Sequence, residues 1–241
     1  TIFDTEYLSL SKGYSDLRNL IKFKKKLFPE IIQISFLKCS NIYLKNKQKK
    51  WNIFIKIKQK IPKRITKLTN ISSNILQKKG HCFKESMNLI DKFIDKKSIL
   101  LANGDDIEIL KLNIRFNNFK RGTKKLVNYV NYNKVLSRID KKKNTDIRYY
   151  STENLNKIFK FKINFHLHNA SNDCVVIYKS LRKLIKIYGK KEFEDMIAQN
   201  KELIKFWIYC YKPTLRKNFC LFWFFSKPRT KIPKHFFIFS F

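Results

Sequence analysis

Asn74-Ile-Leu-Gln-Lys-Lys-Gly80, then Phe83-Lys-Glu-Ser-Met-Asn-Leu-Ile-Asp-Lys-Phe-Ile-Asp-Lys96, then Ser98-Ile-Leu-Leu-Ala-Asn-Gly104 is the stretch on which the fold reading turns. Residues 74–79 suit the end of a short helix, with Gly80 at its C-terminal cap. A second helix is predicted over 83–96. Phe83, Met87, Ile90 and Ile94 fall in one arc at helical spacing, and Lys84, Asn88, Lys92 and Lys96 fall opposite them. Glu85, Asp91 and Asp95 scatter around the polar side. Asn103-Gly104 stands between the apolar run 98–101 and Asp106-Ile-Glu-Ile-Leu110, a strong short-range hairpin signal. Helix, turn, basic helix and hairpin outline a compact RNA-reading unit.

Outward from this unit, residues 17–37 predict a helix carrying Leu17, Leu20, Ile21, Leu27 and Phe28, broken by Pro29. Ile53, Ile55 and Ile57 alternate with Phe54, Lys56 and Lys58, which predicts a basic strand or extended arm. Residues 111–150 read as polar, Asn-rich and irregular. Phe161-Lys-Ile-Asn-Phe-His-Leu167 alternates as a half-buried strand does. Val175, Tyr178, Leu181, Leu184, Ile185 and Tyr188 form a helical stripe, and a further helix is predicted over 192–206. The aromatic end, 207–241, reads as strands and turns.

Composition restricts the function classes. The net charge of +35 over 241 residues opposes compaction unless a polyanion neutralises it, and nucleic acid is the polyanion of choice over anionic lipid. Apolar residues make up 44% and aromatics 15%, too many for a disordered basic arm, so the chain can bury a core. Its Lys, Ile, Asn, Phe and Tyr bias reads as an AT-rich coding signature, which favours an organelle or an AT-rich microbe; together with the resemblance given below, a mitochondrion is expected, with a plastid-type organelle as the alternative. Five scattered cysteines with no C-x-x-C pair predict neither a disulfide framework nor a zinc knuckle, and suggest a reducing compartment. The longest apolar run, 219–225, is about a third of a membrane span, so no stable membrane insertion is expected.

The stretch around Gly80 resembles the RNA-binding domain of the ribosomal protein S four family of the small subunit. Asn74-Ile-Leu-Gln-Lys-Lys-Gly80 matches the end of that domain's first helix. Leu89 to Gly104 is similar to its second helix, strand and Asn-Gly turn; in an alternative register, Asn103-Gly-Asp-Asp-Ile-Glu-Ile109 matches its later Gly-Asp-x-Ile element. Ser11-Lys-Gly-Tyr-Ser-Asp-Leu-Arg18 resembles the stretch before the family's N-terminal helices. Trp207-Ile, Tyr211-Lys-Pro and Pro228-Arg-Thr-Lys-Ile-Pro233 resemble its C-terminal elements. Lysines stand where that family has arginines, which weakens bidentate phosphate recognition. Residues 161–189 also resemble the opening strand and helix of ribosomal protein S ten.

The resemblance implies an α+β fold. It comprises a basic N-terminal helical region (1–70), a small helix-helix-hairpin RNA-binding domain (71–110), an α/β insertion (111–205) and aromatic C-terminal strands (206–241). It implies a structural constituent of the small ribosomal subunit, not an enzyme, with small-subunit rRNA and neighbouring ribosomal proteins as partners. No cofactor, metal or small-molecule substrate is expected. An S ten type protein, or an RNA-modifying enzyme using the same tether domain, is the alternative. RNA contact is expected from Arg18, Lys22, Lys24, Lys25, Lys26, Lys56, Lys58, Lys78, Lys79, Lys84, Lys92, Lys96, Lys97, Arg121, Arg229 and Lys231.

Chemistry-bearing residues receive modest roles in this reading. His166 and His168 share a strand face and, lacking a third ligand, are expected to face solvent or RNA rather than metal. Asp105, Asp106 and Glu108 are expected as turn and hairpin residues. Asn172 or Asp173 is expected to cap the helix that follows, and Cys174 has no base to activate it.

Overall fold

The structure, a computed structural model, describes residues 1–8, 28–39, 48–95, 98–119, 128–143 and 150–203. All fall in one compact unit, Thr1–Phe206; a second unit, Trp207–Phe241, lies outside the described residues. Among the described residues, strands β1 (Ile2–Tyr7), β2 (Ile31–Lys38), β3 (Lys49–Phe54), β4 (Ile99–Ala102), β5 (Asn128–Asn131) and β6 (Lys201–Leu203) form one sheet in the order β3-β2-β1-β4-β5-β6. β1 pairs antiparallel with β2 and parallel with β4; β4 and β5 are parallel, and β6 returns antiparallel.

Helices cover both faces. Helices α3 (Phe83–Phe93) and α4 (Asp106–Phe116) lie on one, packing Phe83, Met87, Ile90, Ile107, Leu110 and Ile114 against Phe3, Ile34, Phe36 and Leu100. The other carries α5 (Tyr132–Lys143), α6 (Thr152–Phe159), α7 (Ala170–Tyr188) and α8 (Lys190–Gln199). There α7 crosses β1, β2 and β3. The short helices α1 (Lys63–Thr69) and α2 (Ser73–Lys79) close a smaller core of Leu8, Ile32, Ile61, Ile65, Ile71 and Leu76. Double-sided burial explains why β1 and β2 are almost wholly inaccessible, a pattern expected of a strand covered on both faces.

This architecture overturns the helix-helix-hairpin reading. Asn103-Gly104 does turn the chain, with Gly104 at φ 115°, but the segment directly after it is a helix and not an antiparallel hairpin partner. Both edges of β4 are already taken, by β1 and by β5. The next segment repeats its apolar residues at Ile107, Leu110 and Ile114, so it coils into α4 instead. Residues 31–38, expected at the end of a helix, form β2, because Pro29 halts the helical pattern and Ile31, Ile32 and Ile34 then favour a buried strand. Residues 161–167 alternate in exposure but join no sheet. The helix predicted over 175–188 is the body of α7, while that over 192–206 is α8 ending at Gln199, before β6. The C-terminal strands and residues 9–27 lie outside the described residues.

Asn113 locks α4 to the start of β2. Its amide donates to the carbonyls of Pro29 (2.9 Å) and Ile109 (2.9 Å), and its Oδ1 accepts from the N–H of Ile31 (3.1 Å). Asn113→Ala leaves the Ile31 N–H and the Pro29 carbonyl buried without partners. The expected loss is about 3 kcal/mol of unfolding free energy, read by equilibrium urea denaturation.

Candidate active site

Strand β1 reads Ile2-Phe-Asp-Thr-Glu-Tyr7. Side chains alternate along a strand, so Asp4 and Glu6 share with Ile2 the face beneath α7, while Phe3 enters the opposite core. Across the β1–β2 ladder they stand opposite Ser35 and Gln33. Those two polar side chains are fully buried, and Gln33 Oε1 accepts the N–H of Ala170 at 3.0 Å. Asn169 caps the same helix by accepting from Ser171 (3.1 Å). The first turn of α7 is thereby fastened over the two acids, and it carries Asp173.

From the other side of the sheet, Asp106 begins α4 at the carboxyl end of β4. Its Oδ1 accepts from Thr5 twice, from the backbone N–H (3.0 Å) and from the hydroxyl (2.5 Å). The carboxyl ends of parallel strands are where open α/β sheets bind ligands. Four carboxylates thus meet around β1: Asp4 (8% exposed), Glu6 (9%), Asp106 (7%) and Asp173 (4%). Carboxylate oxygens of Asp4, Glu6 and Asp173 all lie within 4.8 Å of one another. Among the described residues no Lys or Arg forms an ion pair with any of the four.

Such an arrangement opposes ionisation. Burial, then the neighbouring carboxylates, push Asp4 and Glu6 well above the usual range. Burial drives Asp106 up to about 6, with the Thr5 hydrogen bonds working against it. Burial likewise drives Asp173 up to about 7, opposed by hydrogen bonds from the Thr152 hydroxyl and the His168 N–H. Asp173 Oδ1 is buried with no hydrogen-bond partner. A multivalent cation resolves both the repulsion and the orphaned oxygen, and hard divalent cations take carboxylate ligands of this kind. The residues present therefore fit a divalent metal held by Asp4, Glu6 and Asp173.

His168 lies on the loop entering α7, in the left-handed region at φ 59°. That turn separates it from His166, with which the alternating pattern had placed it. His166 is exposed and its Nε2 lies 2.8 Å from the carbonyl oxygen of Leu68. His168 is half-buried beside Asp173, and burial pushes its imidazole below the ordinary pKa, with the Glu153 carboxylate pulling the other way. Cys174 is buried and its thiol is pushed far up, so it offers no nucleophile.

Sequence reasoning missed the cluster. Asp106 is no hairpin residue and Asp173 no cap. Asp105 is exposed, and Glu108 pairs with Lys111 at 2.6 Å. The legible signal was two acids at i and i+2 in an otherwise apolar opening segment of an acid-poor chain. Of the residues expected to touch RNA, Lys56 and Lys58 follow β3, Lys78 and Lys79 end α2, and Lys84 and Lys92 line α3; all six are exposed. None forms an ion pair with the acids. Arg18, Lys22, Lys24, Lys25, Lys26, Lys96, Lys97, Arg121, Arg229 and Lys231 lie outside the described residues.

Comparison with known proteins gives this geometry a setting. The family model described as Exonuclease (RNase_T) matches residues 1–181. No curated protein sequence matches the chain. Among solved structures it is similar to cell-death related nuclease 4, at TM-score 0.60 and 13% identity over 78% of this chain and 64% of that one. The chain therefore spans less than two thirds of that relative. It is also similar to the nuclease domain of 3′hExo, a DEDDh family member, bound to rAMP (TM-score 0.60, 13% identity, 78% and 91% of the two chains). A third is a 3′-exonuclease solved for 3′-end specific recognition of a histone mRNA stem-loop (TM-score 0.60, 11% identity, 78% and 81%). At these identities the structural likeness speaks for the fold. These findings overturn the resemblance to ribosomal protein S four, and with it the non-enzymatic small-subunit role and the rRNA and ribosomal-protein partners. With the match running through residues 1–181 of 241, from the strand that bears Asp4 and Glu6 to the helix that bears Asp173, the chain belongs to the exonuclease family.

Proposed function

We propose that this chain is a divalent-cation-dependent 3′-exonuclease that removes nucleoside 5′-monophosphates from the end of a nucleic acid strand. The observation that carries the reading is the burial of four carboxylates around β1, without a cationic partner among the described residues, in a chain of net charge +35. Read as amino acids, the letters of the DEDDh label borne by one structural relative are those of Asp4, Glu6, Asp106, Asp173 and His168.

Asp4, Glu6 and Asp173 would hold the cation, with Asp106 adding its charge from the α4 side. When bound, the divalent cation supplies charge neutralisation at the scissile phosphate and activates water for attack. His168 serves as general base: its lowered pKa keeps the imidazole neutral near pH 7, with a lone pair free to take a proton from the attacking water. The new bond joins water oxygen to phosphorus, the phosphorus–O3′ bond breaks, and the departing O3′ is protonated from solvent. The products are a nucleoside 5′-monophosphate and a strand one nucleotide shorter with a 3′-hydroxyl. The excess lysines, under this reading, hold the phosphate backbone of the substrate.

A single-stranded oligonucleotide labelled at its 5′ end is the direct test. With Mg²⁺ or Mn²⁺ the labelled strand should shorten one nucleotide at a time. Chelation or Asp173→Asn should abolish the ladder. His168→Ala should lower kcat by about 10²- to 10⁴-fold while binding of the oligonucleotide, read by fluorescence anisotropy, persists. Failure of every divalent cation to support release of mononucleotides would sink the proposal.

The acid cluster also sets a pH dependence of stability. Unfolded carboxylates titrate near ~3.9, whereas Asp106 and Asp173 in the folded chain titrate at about 6 and about 7. Folded-state pKa values above the unfolded ones mean that the native state holds its protons longer. Their contribution is most favourable at low pH and is lost as pH rises from about 4 through about 7. In chelator, the melting temperature of wild type relative to Asp173→Asn should fall across this window. Added Mg²⁺ should raise the melting temperature more at pH 8 than at pH 5.

A further inference from the structure

We infer that Thr152 is a positioning residue for the metal-binding carboxylate of Asp173, an inference that rests on the exonuclease reading above. An aspartate on the first turn of a helix has several rotamers available. Around Asp173 the acidic neighbours are Asp4, Glu6 and Asp106, against which His166 adds only a small opposing charge, so without a cation the net repulsion favours turning it away from them. Two donors oppose that movement. One is the backbone N–H of His168, brought round by the left-handed turn; the other is the hydroxyl of Thr152.

Thr152 is suited to this task by where α6 begins. The residue before it, Ser151, is the N-terminal cap and accepts the N–H of Asn154 at 3.2 Å. The helix therefore does not need the Thr152 hydroxyl, and that buried side chain is free to reach Asp173. Leu155, one turn further along α6, is fully buried in the same core as Cys174 and Ile177 of α7, so the two helices hold a fixed spacing. One oxygen of Asp173 is tied down by these donors. The other, Oδ1, is left buried and unpartnered, and a carboxylate oxygen of Asp173 lies within 4.8 Å of those of Asp4 and Glu6 that would share the cation. Thr152 thus decides which oxygen is tied and which is offered. Groups that orient a metal ligand from behind typically contribute about 10- to 100-fold in metal affinity or activity.

The test is a calorimetric titration of the full chain with Mn²⁺, comparing wild type, Thr152→Val and Thr152→Ser, with Thr152→Ala replacing the valine variant should that one not fold. Valine keeps the shape and removes the hydroxyl; serine keeps the hydroxyl. Loss of the hydroxyl should raise the Mn²⁺ dissociation constant by about 10-fold or more, and Thr152→Ser should restore it. The Mn²⁺ concentration for half-maximal hydrolysis should shift in parallel, with KM for the oligonucleotide unchanged. A Thr152→Val or Thr152→Ala chain that melts earlier yet binds Mn²⁺ as wild type does would overturn the inference and leave the exonuclease reading standing. Wild type that binds no Mn²⁺ would bring down both.

Discussion

The rest of the molecule is arranged around a repulsion. β1 lies between β2 and β4 and under helices on both faces, the place in an α/β sheet where an apolar strand is most at home. It nevertheless carries two carboxylates, and α4 and α7 bring two more to meet them. Buried like charges are unfavourable unless they are neutralised, protonated or paired. The surrounding polar groups act locally against that cost: Thr5 on Asp106, and Thr152 with the His168 N–H on Asp173. Gln33 and Asn169 fasten the helix above, and Asn113 fastens α4 to the neighbouring strand. The scaffold holds acids together that would separate if left to themselves, which is what a cation site requires before its cation arrives.

How much of this could be read from the chain depends on the range of the interactions involved. The body of α7 was legible because Tyr178, Leu181, Leu184 and Ile185 repeat at helical spacing, a local property. The turn at Asn103-Gly104 was legible too, but its consequence was not. Whether a turn leads into a hairpin or a crossover depends on what pairs with β4, and its partners lie far away at Ile2 and at 128–131. Residues 31–38 were misassigned for the same reason: a continuous apolar run suits a buried strand or a buried helix equally until its neighbours are known. Among site residues, Asp4 and Glu6 went unread, although two acids at i and i+2 in a short strand-like segment share one face. Asp106 and Asp173 carry no local mark, since each stands at a helix start where an acid is ordinary.

Charge illustrates a different failure. An excess of lysine points towards polyanions in general and says nothing of what is done to them, because phosphate contact is common to scaffolding and to hydrolysis. The distinction lay in the minority charge. Eighteen acids against 53 basic residues make any acid cluster conspicuous, and a cluster that ignores the surrounding lysines is held apart from them by burial.

The sheet's connectivity also bears on when the centre comes into being. Thr5 reaches Asp106 across 101 positions, and the helix bearing Asp173 docks on Gln33 across 137. Contacts so distant along the chain form late in folding, after long loops have closed. A nascent chain that has emerged only as far as residue 100 holds Asp4 and Glu6 but neither Asp106 nor Asp173. The four-carboxylate cluster is thus complete only when almost the whole described unit has been synthesised and folded, so a partial chain carries the two acids of β1 without the site they belong to.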